Sequence, residues 1–153
     1  MKLSKNLSLS EVIKSNTATR KGIDNSPNND HLESLEDIAK DIFQPLRDDL
    51  GVIYVSSGYR SDALNKAIGG SRKSQHSKGE ALDLDNDNKN VAASNTEIFN
   101  YIKDNLDFDQ LIWEFGTDEK PDWVHVSYTT KRPNRNQILK AYRQSGKTKY
   151  KSM

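Results

Sequence analysis

The sequence predicts a single domain that mixes helices and strands, on the evidence of its length and of two kinds of apolar pattern. Its 153 residues suit one domain with a real core, and no repeat or linker indicates a second. Between residues 30 and 50, apolar residues recur at the spacings of three and four that mark one face of a helix. Residues 109–115 and 123–128 have the composition of strands, and their short connection predicts an antiparallel hairpin.

The N-terminal part begins with a pattern typical of a short helix. Ser8 and Glu11 have the spacing of a capping box, in which each residue bonds the backbone of the other. Residues 15–29 follow and are rich in Ser, Thr and Asn, with one proline. This composition predicts a long irregular segment.

The amphipathic helix is predicted to start at a second capping box, Asp30 with Glu33. Its apolar stripe consists of Leu32, Leu35, Ile38, Ala39, Ile42, Phe43 and Leu46. We expect this helix to cover the core and Pro45 to kink or tighten its end. His31 lies at the start of the helix, where a surface or capping role is expected.

The remaining elements are predicted from composition and capping residues. Residues 52–57 are rich in β-branched side chains and predict a strand, and Ser61 caps a short helix after it. Another helix starts at Ser94, with Glu97 completing a capping box. Residues 137–143 are predicted to form a final short helix.

The composition excludes several classes of protein. Hydrophobic residues make up 33% and charged residues 29% of the chain, which indicates a modest core and a wet surface. No run approaches the roughly 20 apolar residues that span a bilayer, and the basic N-terminus lacks the apolar stretch of a secretory signal. Cysteine is absent, so neither disulfides nor thiolate metal ligands are available.

Charge is unevenly distributed along the chain. Residues 123–153 contain eight Lys or Arg and no Asp or Glu, although the whole chain carries a net charge of only +1. A basic end on an acidic body predicts attraction to a polyanion, for which an anionic cell-wall polymer such as teichoic acid is one candidate and nucleic acid is another. The alternative is that residues 131–153 form a solvated basic tail.

Two stretches of the sequence carry the residue types of a metal site. The first runs from Ser74 to Asp85 and contains His76 and Asp83, seven residues apart; the second contains His125 in a short apolar strand. Two imidazoles and one carboxylate make a zinc site with three protein ligands, which leaves the fourth tetrahedral position for water. That arrangement is typical of a catalytic zinc, whereas a lone histidine is usually a surface or core residue.

The predicted strands bring these three side chains to one face of a sheet. In residues 81–85 the leucines point to the core and Asp83 points away from it, and residues 123–128 alternate so that His125 also points away. If the two strands pair, Asp83 and His125 converge, and the loop carries His76 toward them. Gly79 permits the close turn between His76 and Asp83.

These motifs resemble a family of zinc peptidases. Ser-x-His-x-x-Gly-x-Ala-x-Asp from Ser74, Trp-x-His from Trp123 and Ser-Gly-Tyr-Arg-Ser at residues 57–61 are similar to the D-alanyl-D-alanine carboxypeptidases and L-alanyl-D-glutamate peptidases of bacteria and bacteriophages. The resemblance spans residues 7–128. It implies a small α+β domain with a mostly antiparallel sheet flanked by helices, shared with the hedgehog signalling domain, and one zinc ion per chain.

The resemblance also implies roles for individual residues. Arg60 is expected to anchor a substrate carboxylate through its guanidinium fork, and Ser74 to help orient the substrate. The family has a Glu or Asp three residues before the last zinc ligand, so Asp122 is the preferred general base. Glu114 is the alternative base, or a group that accepts a hydrogen bond from a ligand imidazole.

Two functions are therefore predicted from the sequence. The first is hydrolysis of peptidoglycan stem peptides by a monomeric zinc peptidase, either a carboxypeptidase at D-Ala–D-Ala or an endopeptidase at L-Ala–D-Glu. Without a signal peptide, such an enzyme fits a phage lysin that is made in the host cytoplasm and released to act on the wall. The second is a non-catalytic, zinc-containing module on the same fold.

Overall fold

A six-stranded sheet forms the centre of the protein, and the computed structural model describes all residues from 1 to 153. The helices are α1 (Leu9–Ile13), α2 (Asn16–Lys21), α3 (Asn29–Ile38), α4 (Gln44–Leu50), α5 (Asp62–Ala67) and α6 (Asn95–Asn105). The strands are β1 (Lys2–Ser4), β2 (Leu7–Ser8), β3 (Val55–Ser57), β4 (Ala81–Leu84), β5 (Gln110–Glu114), β6 (Trp123–Ser127), β7 (Gln137–Gln144) and β8 (Lys147–Ser152).

The strand order in the central sheet is β3-β4-β6-β5-β7-β8, while β1 and β2 form a small separate ribbon. Every neighbouring pair in the central sheet is antiparallel except β5 and β7, which run parallel. Helices pack on one side of this sheet. The predicted α+β class with a mostly antiparallel sheet is therefore confirmed.

One face of the sheet is buried in the main apolar core. The alternating residues of three central strands supply it from that face: Leu82, Leu84, Leu111, Trp113, Val124 and Val126. The helical side supplies Leu35, Ile38, Ala39, Ile42, Phe43 and Leu46 from residues 29–50, and Ile98, Phe99 and Ile102 from α6. The opposite face of β4, β6 and β5 is left open to a cleft, which is lined by Asp83, His125 and Glu114 together with Ile112 and Trp123.

Local capping explains where the first helices begin. The predicted capping box of Ser8 and Glu11 is present at α1. The segment predicted as irregular contains α2, whose first turn is capped by the Ser15 side chain, so that prediction was wrong for residues 16–21. The next helix starts at Asn29, not at Asp30 as predicted, because the Asn28 side chain accepts the His31 N–H.

The amphipathic helix continues from α3 to α4 through one wide π-helical segment, Ala39–Phe43. Pro45 lies in the first turn of α4, directly after this segment. A proline has no N–H to give to the preceding turn, and local widening of the helix is one way in which a helix accommodates that loss. The predicted apolar stripe is buried on both sides of the irregularity.

Three predictions near the edges of the sheet need correction. Of residues 52–57, only Val55–Ser57 form a strand, since the Tyr54 N–H is taken by the Asn86 side chain. Residues 137–143 are not a helix but most of β7, which pairs along β5 over residues 110–114. The basic segment predicted as a tail is likewise folded, because β8 pairs with β7 to make a C-terminal hairpin.

No helix combines the length and the apolar composition that a membrane crossing requires.

Candidate metal centre and active-site cleft

Three residues from three separate elements meet on the open face of the sheet. Asp83 on β4 and His125 on β6 lie directly opposite each other in the antiparallel register, and His76 is carried by a 3₁₀ turn, Gln75–Lys78. The Asp83 Oδ1 atom lies 3.0 Å from His125 Nδ1 and 3.3 Å from His76 Nε2. One potential ligand atom from each residue lies within 4.8 Å of the other two.

Two glycines, Gly58 and Gly79, allow neighbouring loops to approach closely, and this close approach determines the position of the His76 ring. Gly79 ends the turn with a φ of +74°, and a Cβ there would lie 2.5 Å from the His31 carbonyl oxygen. At Gly58 a Cβ would lie 2.5 Å from the Val12 carbonyl oxygen. The close packing of Gly58 matters because its own carbonyl oxygen is the partner of the His76 ring.

The proton on each imidazole is directed away from Asp83. His76 Nδ1 lies 2.6 Å from the Gly58 carbonyl oxygen, which can only accept, so Nδ1 carries the proton of the neutral ring. His125 Nε2 faces the Gln75 Oε1 atom at 3.4 Å and donates in the same way. Both remaining ring nitrogens then present lone pairs to a carboxylate oxygen, an arrangement that a cation between them would satisfy.

The orientation of Gln75 is itself determined by a buried ion pair. Gln75 Nε2 donates to Asp109 Oδ2 at 2.8 Å, which turns the amide oxygen toward His125. Asp109 is buried and receives the Arg135 guanidinium through two bonds of 2.9 and 2.8 Å. Its pKa is lowered chiefly by the hydrogen bond from Arg135. A continuous chain of contacts therefore links Arg135 to the candidate ligand His125.

The three candidate ligands fit a zinc ion on geometry and on chemistry. Zinc bonds of about 2.1 Å to nitrogen and oxygen in a tetrahedron separate the ligand atoms by roughly 3.4 Å. The two separations involving Asp83, 3.0 and 3.3 Å, are close to that value. Burial alone would raise the pKa of Asp83, but in the metal-free protein the charge and hydrogen bonds of protonated His76 and His125 hold it well below its usual range. A charged carboxylate beside two imidazoles is the donor set that zinc prefers.

These residues lie in a cleft of about 1190 Å³ that also contains both predicted substrate-binding residues. Arg60 is partly buried there, and its Nε atom has no hydrogen-bond partner. Burial lowers the pKa of Arg60, while the nearby Asp83 carboxylate opposes that shift. Ser74 lines the same cleft just before the 3₁₀ turn. Both side chains thus line the same cleft as the candidate metal centre.

The two candidate bases lie in different environments. Glu114 lines the cleft and is only 8% exposed. It lies on β5, the strand beside His125, and pairs with Trp123, two residues before His125 on β6. Burial raises the pKa of Glu114 to about 7, and its charge interacts with both His125 and Asp83. Asp122 is exposed, precedes β6 and is not among the residues that line the cleft.

Sequence reasoning missed the residues that support the metal centre from behind and those at the far end of the cleft. Gln75 is adjacent to His76 in the sequence, and that adjacency was the one signal available for it. Asp109 and Arg135 are 26 residues apart and become partners only through the fold. Arg143, Thr148 and Tyr150 line the cleft because residues 137–152 form strands.

The fold and the site together define a class of protein. An α+β domain that gathers two histidines and one aspartate at one end of an open cleft, beside a buried carboxylate, has the parts of a hydrolytic zinc enzyme. Comparison with protein families gives the same answer: residues 5–127 match the model of the peptidase M15 family. The chain belongs to this family and is a metallopeptidase. A comparison with curated proteins found no match.

Proposed function

We propose that this protein hydrolyses an amide bond in peptidoglycan stem peptides, with zinc held by His76, Asp83 and His125. The two candidate bonds are D-Ala–D-Ala, cut by a carboxypeptidase, and L-Ala–D-Glu, cut by an endopeptidase. The observation that carries the proposal is the convergence of these three side chains, within 4.8 Å of one another, in a cleft that also contains Glu114 and Arg60. Family membership supports the same reaction class.

The chemistry that zinc supplies at such a site is polarisation of a carbonyl group and acidification of a water molecule. Glu114 acts as the general base: it removes a proton as the water oxygen bonds to the scissile carbonyl carbon. It then returns that proton to the amine as the carbon–nitrogen bond breaks. A carboxyl with a pKa of about 7 is suited to both steps near neutral pH, because it accepts and releases protons readily there.

This assignment reverses the preference for Asp122 that the sequence suggested. The separation of three residues from His125 points to Asp122, but the exposure of its side chain and its absence from the lining of the cleft favour Glu114. We expect Glu114→Gln to lower kcat by about 10²- to 10⁴-fold without loss of zinc, since a general base contributes on that scale. Asp122→Asn is the matched control and should change kcat by less than about threefold.

The opposite result, a large loss in Asp122→Asn and a small one in Glu114→Gln, would return the role of base to Asp122. Zinc content is measured on both purified variants, so that a lost base is separated from a lost metal ion.

Arg60 and Ser74 are proposed to bind the substrate. The Arg60 guanidinium is partly buried beside the metal centre, has a free Nε donor and forms none of the ion pairs in the protein. A substrate carboxylate would satisfy those donors through a bidentate contact. The Ser74 hydroxyl lies in the same cleft and is available to orient the peptide.

We also propose how the protein reaches the cell wall and remains bound there. Lys147, Lys149 and Lys151 project from one face of the C-terminal hairpin, opposite the face that lines the cleft, while Lys140 on the same face is paired with Asp118. We propose that this face contacts an anionic cell-wall polymer while the cleft engages peptidoglycan. The protein then acts at the wall, as a lysin of the phage type would.

The test of the function is a digestion of purified cell wall. Full-length protein with a measured zinc content is incubated with the wall, with and without a chelator, and the released fragments are identified by mass spectrometry. We expect one zinc per chain, chelator-sensitive release of peptide and fragments that identify the cleaved bond. A protein that binds zinc and wall but releases no fragment would instead be a non-catalytic module.

A further inference from the structure

The far end of the cleft is formed by the C-terminal hairpin, which lies outside the residues that match the family. The match ends at residue 127, whereas β7 and β8 span residues 137–152. Leu139, Arg143, Thr148 and Tyr150 from these strands line the same cleft as His125. Part of the cleft surface is therefore supplied by a segment that the family match does not include.

The strand register brings the hairpin side chains onto the metal face. Glu114 pairs with Ala141, and Ala141 pairs with Tyr150, so the three residues lie in one row across β5, β7 and β8. Arg143 pairs with Thr148 two residues further along the same strands. Partial burial raises the pKa of the Tyr150 hydroxyl, and the charges of Glu114 and Asp83 raise it further. The ring is thus within electrostatic range of the metal end.

Three arginines line this side of the cleft, and two of them are already neutralised. Arg132 pairs with the buried carboxylate of Glu80, and Arg135 pairs with that of Asp109. Arg143 forms none of the ion pairs or side-chain hydrogen bonds in the protein. Its guanidinium lies over the Phe115 ring, 4.8 Å from the centroid, so it is held by stacking while its donors remain free.

The distance from the metal end to the hairpin matches the length of a short peptide. Neighbouring strands are about 4.8 Å apart, so the two steps from β6 to β7 cover about 10 Å. His125 is in the same row as Ile112 and Leu139, and Arg143 lies four residues further along β7, about 13 Å at about 3.3 Å per residue. The combined separation is about 16 Å, which an extended peptide spans with about five residues.

We propose that Arg143, flanked by Thr148 and Tyr150, forms a subsite for a substrate carboxylate about five residues from the scissile amide. The inference depends on the proposed function, since it names the substrate feature that the same cleft reads. The free guanidinium supplies the bidentate contact, and the Tyr150 and Thr148 hydroxyls supply further donors. Stem peptides contain several carboxylates, and one of them is the expected partner.

The experiment pairs a substitution in the protein with one in the substrate. Zinc-loaded wild-type and Arg143→Gln proteins are compared on synthetic stem peptides in which each carboxylate is converted in turn to a carboxamide. We expect Arg143→Gln to lower kcat/KM on the parent peptide by about tenfold to a hundredfold, mainly through KM, as a charged hydrogen bond of this kind predicts. One amidated peptide should show the same loss with wild-type protein and no additional loss with the variant.

Lys103→Gln on α6 is the matched control, because it removes one positive charge at an exposed position outside the cleft. It should leave kcat/KM unchanged, while Arg143→Lys, which keeps the charge without the fork, should fall between wild type and Arg143→Gln. Equal losses of Arg143→Gln on every peptide, or no loss on any, would overturn the subsite.

Binding to the zinc-loaded Glu114→Gln protein, with and without Arg143→Gln, separates this outcome from failure of the proposed function. Absence of cleavage by wild-type protein would overturn the proposed function. Absence of a carboxylate-dependent binding difference between the two variants would overturn the subsite.

Discussion

The two ends of the cleft are built in opposite ways. At the metal end, His76 and His125 are 3% and 9% exposed, and each ring makes a hydrogen bond that sets its protonated nitrogen. At the hairpin end, Arg143, Thr148 and Tyr150 are exposed, and the Arg143 donors have no protein partner. The metal end lies within the residues that match the family, and the hairpin end lies beyond them.

This difference indicates that catalysis and substrate selection are carried out by different parts of one cleft. Central strands suit the metal ligands because register and burial hold Asp83 opposite His125 with little freedom. An edge hairpin has fewer neighbours, so its side chains can change without disturbing that geometry. We infer that the reaction depends on β4, β5, β6 and the 3₁₀ turn, and that β7 and β8 add to the substrate selection made by Arg60 and Ser74.

Substitution of Asp83 is expected to have the largest effect on zinc content and peptide release. This effect should be confined to the metal end of the cleft. Asp83→Asn removes the charged ligand and leaves two neutral imidazoles, so we expect the zinc content to fall from one per chain to near zero. Peptide release should fall to the background rate, because the zinc chemistry is then missing. Metal analysis and wall digestion measure these results, with Lys103→Gln on α6 as the control. Full zinc content in Asp83→Asn would remove this residue from the ligand set.

The raised pKa of Glu114 predicts that the free energy of unfolding changes with pH. This effect is smaller than that of losing Asp83 and is measured on the metal-free protein. Its pKa is raised by burial from 4.5 to about 7, so the folded protein holds this proton more tightly than the unfolded chain does. The resulting stability is fully present below pH 4.5 and is lost as pH rises through 7, which amounts to about 3 kcal/mol. Glu114→Gln cannot ionise and should lack this loss.

Urea unfolding of both proteins in chelator at pH 5 and pH 8 measures that difference. Parallel pH dependence in wild type and Glu114→Gln would show that the Glu114 carboxyl titrates at an ordinary pKa in the folded protein.

Much of the metal end was predictable because it depends on local periodicity. The alternation in residues 81–85 and 123–128 determines which face Asp83 and His125 occupy, and the register confirmed that they meet. The apolar stripe of the long helix was predictable for the same reason. These patterns are written in consecutive residues and need no information about distant partners.

The errors arose where a distant segment decides the outcome. Residues 137–143 contain good helix formers such as Leu139 and Ala141, yet pairing with β5 makes them a strand. Our proposal of Glu114 as the base likewise depends on the register of the β5–β6 hairpin, which aligns Glu114 with Trp123. Sequence spacing favours Asp122 because it counts along one strand and not across two, and the choice between the two stays a prediction.

The chain of contacts from Arg135 through Asp109 and Gln75 to His125 joins the two regions. Breaking it at Gln75 is expected to give the smallest of these effects. Gln75→Leu keeps a similar volume but removes the amide that accepts from His125 Nε2 and donates to Asp109. Partners that orient a ligand imidazole typically change metal affinity by about 10- to 100-fold, so we expect the zinc affinity to fall by that factor. Competition with a chromogenic chelator measures it, and Gln144→Leu on the exposed end of β7 is the control. Because Arg135 lies beyond the family match, an unchanged affinity in Gln75→Leu would mean that the metal centre is independent of the C-terminal segment.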